Sequence, residues 1–308
     1  MNKTIVSKRV FILLFVLSVV GSVLISPEAF AQGLIKTADN VYSYVDTKSS
    51  TPQNSFGANA GIIIGRDGIV VVDTLISSKE AKRFIKDIRA ISKKPIRYVV
   101  NTHYHLDHTF GNADFKRLGA VIISHINDSK NLKAHGETAL KNAKDYGLSE
   151  KDMKGTRIAY PALAFTDRME IDLGDQKVEL VYIRPSHTDG SILVYLPDKK
   201  ILFAGDILFT NYHPFLGEGN IEEWVKVLDY IMTMDVEKII PGHGPLSTKK
   251  DIEDMKNYLI AFDKKAKELA AKSDNAEYIA TEIKKSLPPR PEGAGLILWN
   301  IQMKYIKK

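Results

Sequence analysis

The chain has 308 residues, 44% hydrophobic and 26% charged, with a formal charge of +6. This is globular composition, enough for one large domain or two small ones, and no internal repeat or low-complexity tract is apparent. There is no cysteine, so disulfides are excluded and any metal site must be made from His, Asp and Glu.

Residues 1–31 open with Lys3, Lys8 and Arg9, continue through an apolar run from Val10 to about Ile25, and end in Ala29-Phe30-Ala31 before Gln32. A positive start, an apolar stretch and a small-x-small ending form the pattern of a cleavable export signal. The apolar run is short for a membrane span, so no stable membrane anchor is expected after cleavage, and a periplasmic or secreted location is. The segment holds three basic residues and one acidic residue, so its removal leaves +4. Residues 249–308 alone account for that excess, with 13 basic and 9 acidic side chains. The remainder is close to neutral. A nucleic-acid binder would need a concentrated basic face, so a small-molecule substrate is the expected partner; oligomeric state is not legible.

Gly61–Thr74, GIIIGRDGIVVVDT, reads as two strands joined at Arg66-Asp67-Gly68, a hairpin signal. Residues 77–91 have a serine start and helical spacing of apolar positions. Pro95–Thr102 and Ala120–His125 read as strands, and the chain from about Ile126 to Ala164 as polar and helical before a loop near Tyr160-Pro161. Met169–Ile183 reads as a second hairpin, Ser191–Leu196 and Lys200–Asp206 as a strand pair, and about Asn220–Met234 as a helix. Val236–Gly244 runs from a strand into a glycine-rich loop. After Ser247 the chain is mostly helical, with a break at Pro288–Gly293. Strands and helices alternate in both halves, which predicts sheets covered by helices.

The chemistry sits in NTHYHLDHTFGN, residues 101–112, which places three of the chain's 8 histidines within six positions. Two residues apart on a helix, His103 and His105 would point about 200° away from each other. At a strand end or turn they can converge. Asp107 and His108 are adjacent and point in different directions, which suits two neighbouring metals better than one. Three later segments supply further ligands: RPSHTDGS with His187, LFAGD with Asp206, and IIPGHGP with His243. The spacing predicts His103, His105 and His187 on one metal, Asp107, His108 and His243 on the second, and Asp206 bridging. Such N and O donors suit Zn²⁺ and also accept Fe or Mn. Two metals sharing a hydroxide would attack a carbonyl or phosphoryl centre.

His-x-His-x-Asp-His followed by separate His, Asp and His segments resembles the metallo-β-lactamase superfamily, over roughly Val41 to Ser247. The resemblance implies an α/β fold, the four-layer αββα sandwich with metals at one edge between two sheets. The chain is expected to divide into an export signal (1–31), a metallo-β-lactamase-like catalytic domain (32–246) and a helical C-terminal extension (247–308) packed on the same domain. By resemblance, Asp73 supports the histidine loop without ligating. The zinc β-lactamases best known by resemblance carry Cys where this chain has Asp206, and a further subclass lacks the bridging aspartate. The Asp206 pattern is similar to that of glyoxalase II, lactonases and related hydrolases. The expected function is an exported dinuclear zinc hydrolase of an ester, thioester, lactone or lactam, with a metal-bound hydroxide as nucleophile and Asp107 able to receive a proton. The alternatives are a β-lactamase proper, a mono-iron sulfur dioxygenase and a metal-binding protein without turnover. His125 and His135 are expected to be structural or solvated, Trp224 core and Trp299 packing. His213 divides evenly between substrate contact and surface loop, and Tyr212 and Phe215 are candidates to line the pocket.

Overall fold

A computed structural model describes residues 33–45 and 50–306; the expected export signal, residues 1–31, lies outside them. Seven strands form one sheet in sequence order: β1 (Leu34–Ala38), β2 (Val41–Tyr44), β3 (Ala60–Ile64), β4 (Ile69–Val72), β5 (Ile96–Val100), β6 (Val121–His125) and β7 (Leu163–Phe165). Five form the other: β8 (Arg168–Asp172), β9 (Lys177–Val181), β10 (Leu193–Leu196), β11 (Ile201–Phe209) and β12 (Lys238–His243), in the order β12-β11-β10-β9-β8. The helices are α1 (Ser78–Ile91), α2 (Leu106–Thr109), α3 (Asn112–Lys116), α4 (Ile126–Lys141), α5 (Ile221–Thr233), α6 (Lys249–Ala270), α7 (Ala276–Ser286) and α8 (Leu296–Asn300), which continues as a π turn over Ile301–Tyr305.

Both expected hairpins are present: β3 pairs antiparallel with β4, and β8 with β9. The α1 N-terminus is capped where the sequence indicates, with the Ser77 hydroxyl accepting from the Glu80 amide. Two features differ from expectation. The sheet gains β1, β2 and β7, which at three to five residues are too short to show alternation. And β11 runs on to Phe209 with all nine residues buried, so Asp206 lies within the strand and not at its end.

Strand alternation sorts side chains into layers. Val70 and Val72 face the space between the sheets, where they meet Val178, Leu180, Val194, Ile201 and Phe203. Their neighbours Ile69 and Val71 face the other way, onto Phe84 and Ile88 of α1 and Phe115 of α3. Leu202 and Ala204 of β11 point out of the second sheet onto Trp224 and Val227 of α5, Phe262 of α6 and Ile283 of α7. The layers are therefore helix, sheet, sheet, helix, with the C-terminal helices built into the outer core of the second sheet. Among the described residues no helix is long and apolar enough to cross a membrane.

Candidate metal centre

Strands β4, β5 and β6 run parallel, as do β11 and β12, so their C-terminal ends gather at one edge of the sandwich. Asp73 follows β4 in the left-handed region (φ 60°), a conformation that costs a non-glycine residue energy and turns its side chain back under the loop. Asn101 to His103 follow β5. His105 precedes α2, which carries Asp107 and His108. His187 lies in the turn before β10, Asp206 in β11 and His243 at the end of β12. Strand β12 itself passes close to the Asp206 carboxylate: a Cβ on Gly242 would sit 1.9 Å from Oδ1.

The seven residues form two adjoining groups. In one, donor atoms of His103, His105, His187 and Asp206 lie within 4.8 Å of one another; in the other, those of Asp107, His108 and His243 do. Asp206 joins them. Its Oδ2 faces His187 Nε2 at 3.4 Å and His103 Nε2 at 3.7 Å, while Oδ1 faces His108 Nε2 at 3.1 Å and His243 Nε2 at 3.5 Å. Asp107 Oδ2 is 3.3 Å from His243 Nε2 and 3.6 Å from His108 Nε2.

Each imidazole has its outward nitrogen engaged. His108 Nδ1 donates to Asp73 Oδ2 at 2.8 Å, and Thr102 Oγ1 donates to the same oxygen at 2.7 Å. The Thr102 hydroxyl in turn lies 3.1 Å from His103 Nδ1. His187 Nδ1 donates to the Phe215 carbonyl and His243 Nδ1 to the Phe56 carbonyl, each at 3.1 Å. His105 is reversed: its Nδ1 is 3.0 Å from His187 Nε2, and its Nε2 is 3.4 Å from Glu218 Oε2. These contacts fix which nitrogen of each ring faces inward.

Three of the inward atoms lack partners. His103 Nε2, His108 Nε2 and Asp206 Oδ1 are buried without a hydrogen bond, and buried polar atoms rarely go unsatisfied. Divalent cations fit this donor set of imidazole nitrogens and carboxylate oxygens. Electrostatics agree for His103 and His187. Burial, reinforced by the neighbouring imidazoles, holds His103 well below the ordinary range and His187 at about 3, so both rings are neutral, as ligands must be. Burial also acts downward on His108 and His243, but the surrounding carboxylates outweigh it and raise His108 well above its usual range and His243 to about 9.

A cavity of about 720 Å³ opens over the centre, with His105, Asp107, Asp206 and His243 in its wall. Tyr212 and Phe215 line it, as their position suggests. Trp299 corrects the expectation of packing: it is 41% exposed and lines the cavity from α8. His135 is exposed at the rim, while His125 accepts from the Asn127 amide and stacks on Tyr182 at 3.9 Å. Trp224 is core, its indole donating to the Ile207 carbonyl. His213 is neither a substrate contact nor a surface residue. It is buried, with Nδ1 accepting from the Tyr258 hydroxyl at 2.7 Å.

Sequence reading missed Glu218, Thr102 and the two carbonyls that orient His187 and His243. Glu218 accepts from the Tyr104 hydroxyl as well as facing His105. Burial works to raise its carboxyl, but the His105 and Tyr104 contacts outweigh that and hold it at about 2. Only the place of Tyr104 between two ligand histidines hinted at this arrangement.

The family model described as "Metallo-beta-lactamase superfamily" matches residues 54–243. The chain is 25% identical over 193 residues to the 2,4-dinitroanisole O-demethylase subunit alpha of Nocardioides sp. (strain JS1661); the match covers 62% of this chain but 54% of that protein, so the chain spans about half of that relative's length. It is 24% identical over 212 residues to the acyl-coenzyme A thioesterase MBLAC2 of Bos taurus, covering 60% of this chain and 72% of the relative. Among solved structures, a metallo-beta-lactamase from Pontibacter korlensis superposes with a TM-score of 0.59 at 18% identity, covering 73% of this chain and 97% of that one. That likeness is one of fold.

Proposed function

From the chain's membership of the metallo-beta-lactamase superfamily, whose members related to it are metal-dependent hydrolases, we propose that this protein is an exported dinuclear zinc hydrolase of esters, thioesters, lactones or lactams. One observation carries the reading: the two oxygens of Asp206 divide between two imidazole groups, and Asp206 Oδ1, His103 Nε2 and His108 Nε2 are buried there without a hydrogen bond. Two cations held there, by His103, His105 and His187 and by Asp107, His108 and His243 with Asp206 between, would polarise a substrate oxygen and make a water acidic near neutral pH.

The chain's own groups do the rest. Asp107 lines the cavity and faces the His243 edge, so its carboxylate is placed to hold the attacking water and take its proton. Burial works to raise the Asp107 carboxyl, but His108 and His243 outweigh it and lower it, which keeps it ionised and ready to accept. Asp73 and Glu218 hold the rings of His108 and His105. Asp107→Ala should lower kcat on any ester that the protein cleaves by ~10²–10⁴-fold, while Lys250→Ala on the outer helix leaves it unchanged. Full turnover in Asp107→Ala would remove this residue from the chemistry.

A second reading has its own observation. His103, His105, His187 and Asp206 form a complete four-donor group by themselves, which suits the mono-iron sulfur dioxygenase alternative. The acidic partners gathered on the other side, Asp107 against His108 and His243, favour the dinuclear reading.

A further inference from the structure

The cavity reaches well beyond the centre, and its far part is made by the C-terminal helices. Leu296, Trp299 and Met303 line one side, and Leu106, Phe110 and Tyr146 the other. Trp299 and Met303 are 41% and 50% exposed, a large apolar surface left facing water at the mouth of a site. The walls meet where the Tyr146 and Trp299 rings approach to 6.1 Å between centroids. The C-terminal wall is held firmly. Asn300 accepts from the Leu216 amide and donates to the Pro214 carbonyl, and the Glu292 carbonyl accepts from the His213 amide. The charges are one-sided. Beyond the metal-ligand set, the carboxylates of the wall are Asp145 and Glu218, and among the described lining residues there is no lysine or arginine. Lys304, next to Met303, donates instead to the Gly219 carbonyl. An anionic substrate tail in the far part would meet these two carboxylates with no lysine or arginine beside them in the wall, whereas an alkyl chain would cover Trp299 and Met303 and gain from leaving water.

We propose that this cleft binds the uncharged, apolar acyl chain of an ester or thioester, with Trp299 and Met303 setting the preference for chain length. As a statement about turnover this rests on the hydrolase reading above; as a statement about binding it does not. The chain has two tryptophans, and Trp224 is fully buried, so ligand in the cleft reports through Trp299. In the full-length, metal-loaded protein, decan-1-ol should change the tryptophan emission saturably, ethanol should not, and Trp299→Phe should abolish the response. With p-nitrophenyl esters, kcat/KM for octanoate should exceed that for acetate by about tenfold or more, given the gain per buried CH₂. A carboxylate at the far end of the same eight-carbon chain should lower it by about tenfold. The octanoate-to-acetate ratio should fall towards one in both Trp299→Ala and Met303→Asp. A flat ratio in the wild type, a preference for the terminal carboxylate, or no Trp299 response to decan-1-ol would overturn the proposal. If decan-1-ol binds and no ester is cleaved, the cleft assignment stands and the hydrolase reading fails. If esters are cleaved without regard to length, the hydrolase reading stands and this one fails.

Discussion

The imidazoles of the centre are held from behind, and the residues that hold them differ in how visible they are in the sequence. The seven side chains were legible because four metal-ligating groups crowd into residues 103–108 and the other three stand in separate segments at a predicted strand end or loop. Asp73 was legible through resemblance alone. The Phe56 carbonyl that holds His243 across 187 residues of chain was not, because a backbone acceptor leaves no mark on residue identity. Glu218 was missed for a related reason: one acid in a loop looks like any other until the fold brings it to His105 Nε2. Glu218→Gln should weaken zinc binding by ~10-fold through looser orientation of His105, read by competition with a chromophoric chelator; unchanged affinity would leave Glu218 a surface acid. His213 gives a second test. Burial first, then Arg290 and Lys284, hold its imidazole at about 4, against roughly 6.5 in an unfolded chain. The folded ring therefore resists a proton that the unfolded chain accepts. Its contribution to stability is fully present above pH 6.5 and is lost as pH falls from there towards 4. The stability advantage of wild type over His213→Asn in urea unfolding should be constant above pH 7 and shrink by pH 4.5; a pH-independent difference would contradict this.

At the scale of elements, β3, β4, α1, β5 and β6 were legible because apolar periodicity and turn chemistry agreed in each. Strands β1, β2 and β7 were not, since a few residues with mixed burial take their structure from the neighbours they pair with. The extension of β11 through Asp206 has a similar origin. Its last residues are held by β12, whose His243 registers with Phe209, and not by any local pattern. That pairing brings the backbone at Gly242 against the Asp206 carboxylate. Gly242→Ala should therefore displace Asp206 and lower the metal retained after dialysis, while far-ultraviolet circular dichroism stays that of the wild type. Full metal retention in a folded Gly242→Ala protein would show that β12 can yield at this point.

In the whole molecule, two sheets share one core and put the ends of their parallel strands at the same edge, where the ligands from four segments converge. The αββα order was legible from the alternation of strands and helices together with the histidine motif. The part played by the C-terminal helices was not: helical periodicity shows that a segment has an apolar face, but not that residues beyond that face, Trp299 and Met303, line a distant cavity. The central claim is that these residues hold two zinc ions for hydrolysis, and metal content measured by mass spectrometry on protein from its native compartment, alongside turnover, tests it most directly. The account predicts two zinc ions per chain, with ester or thioester hydrolysis lost on chelation and restored by zinc. One iron per chain with oxygen uptake, or hydrolysis that survives complete metal removal, would contradict it.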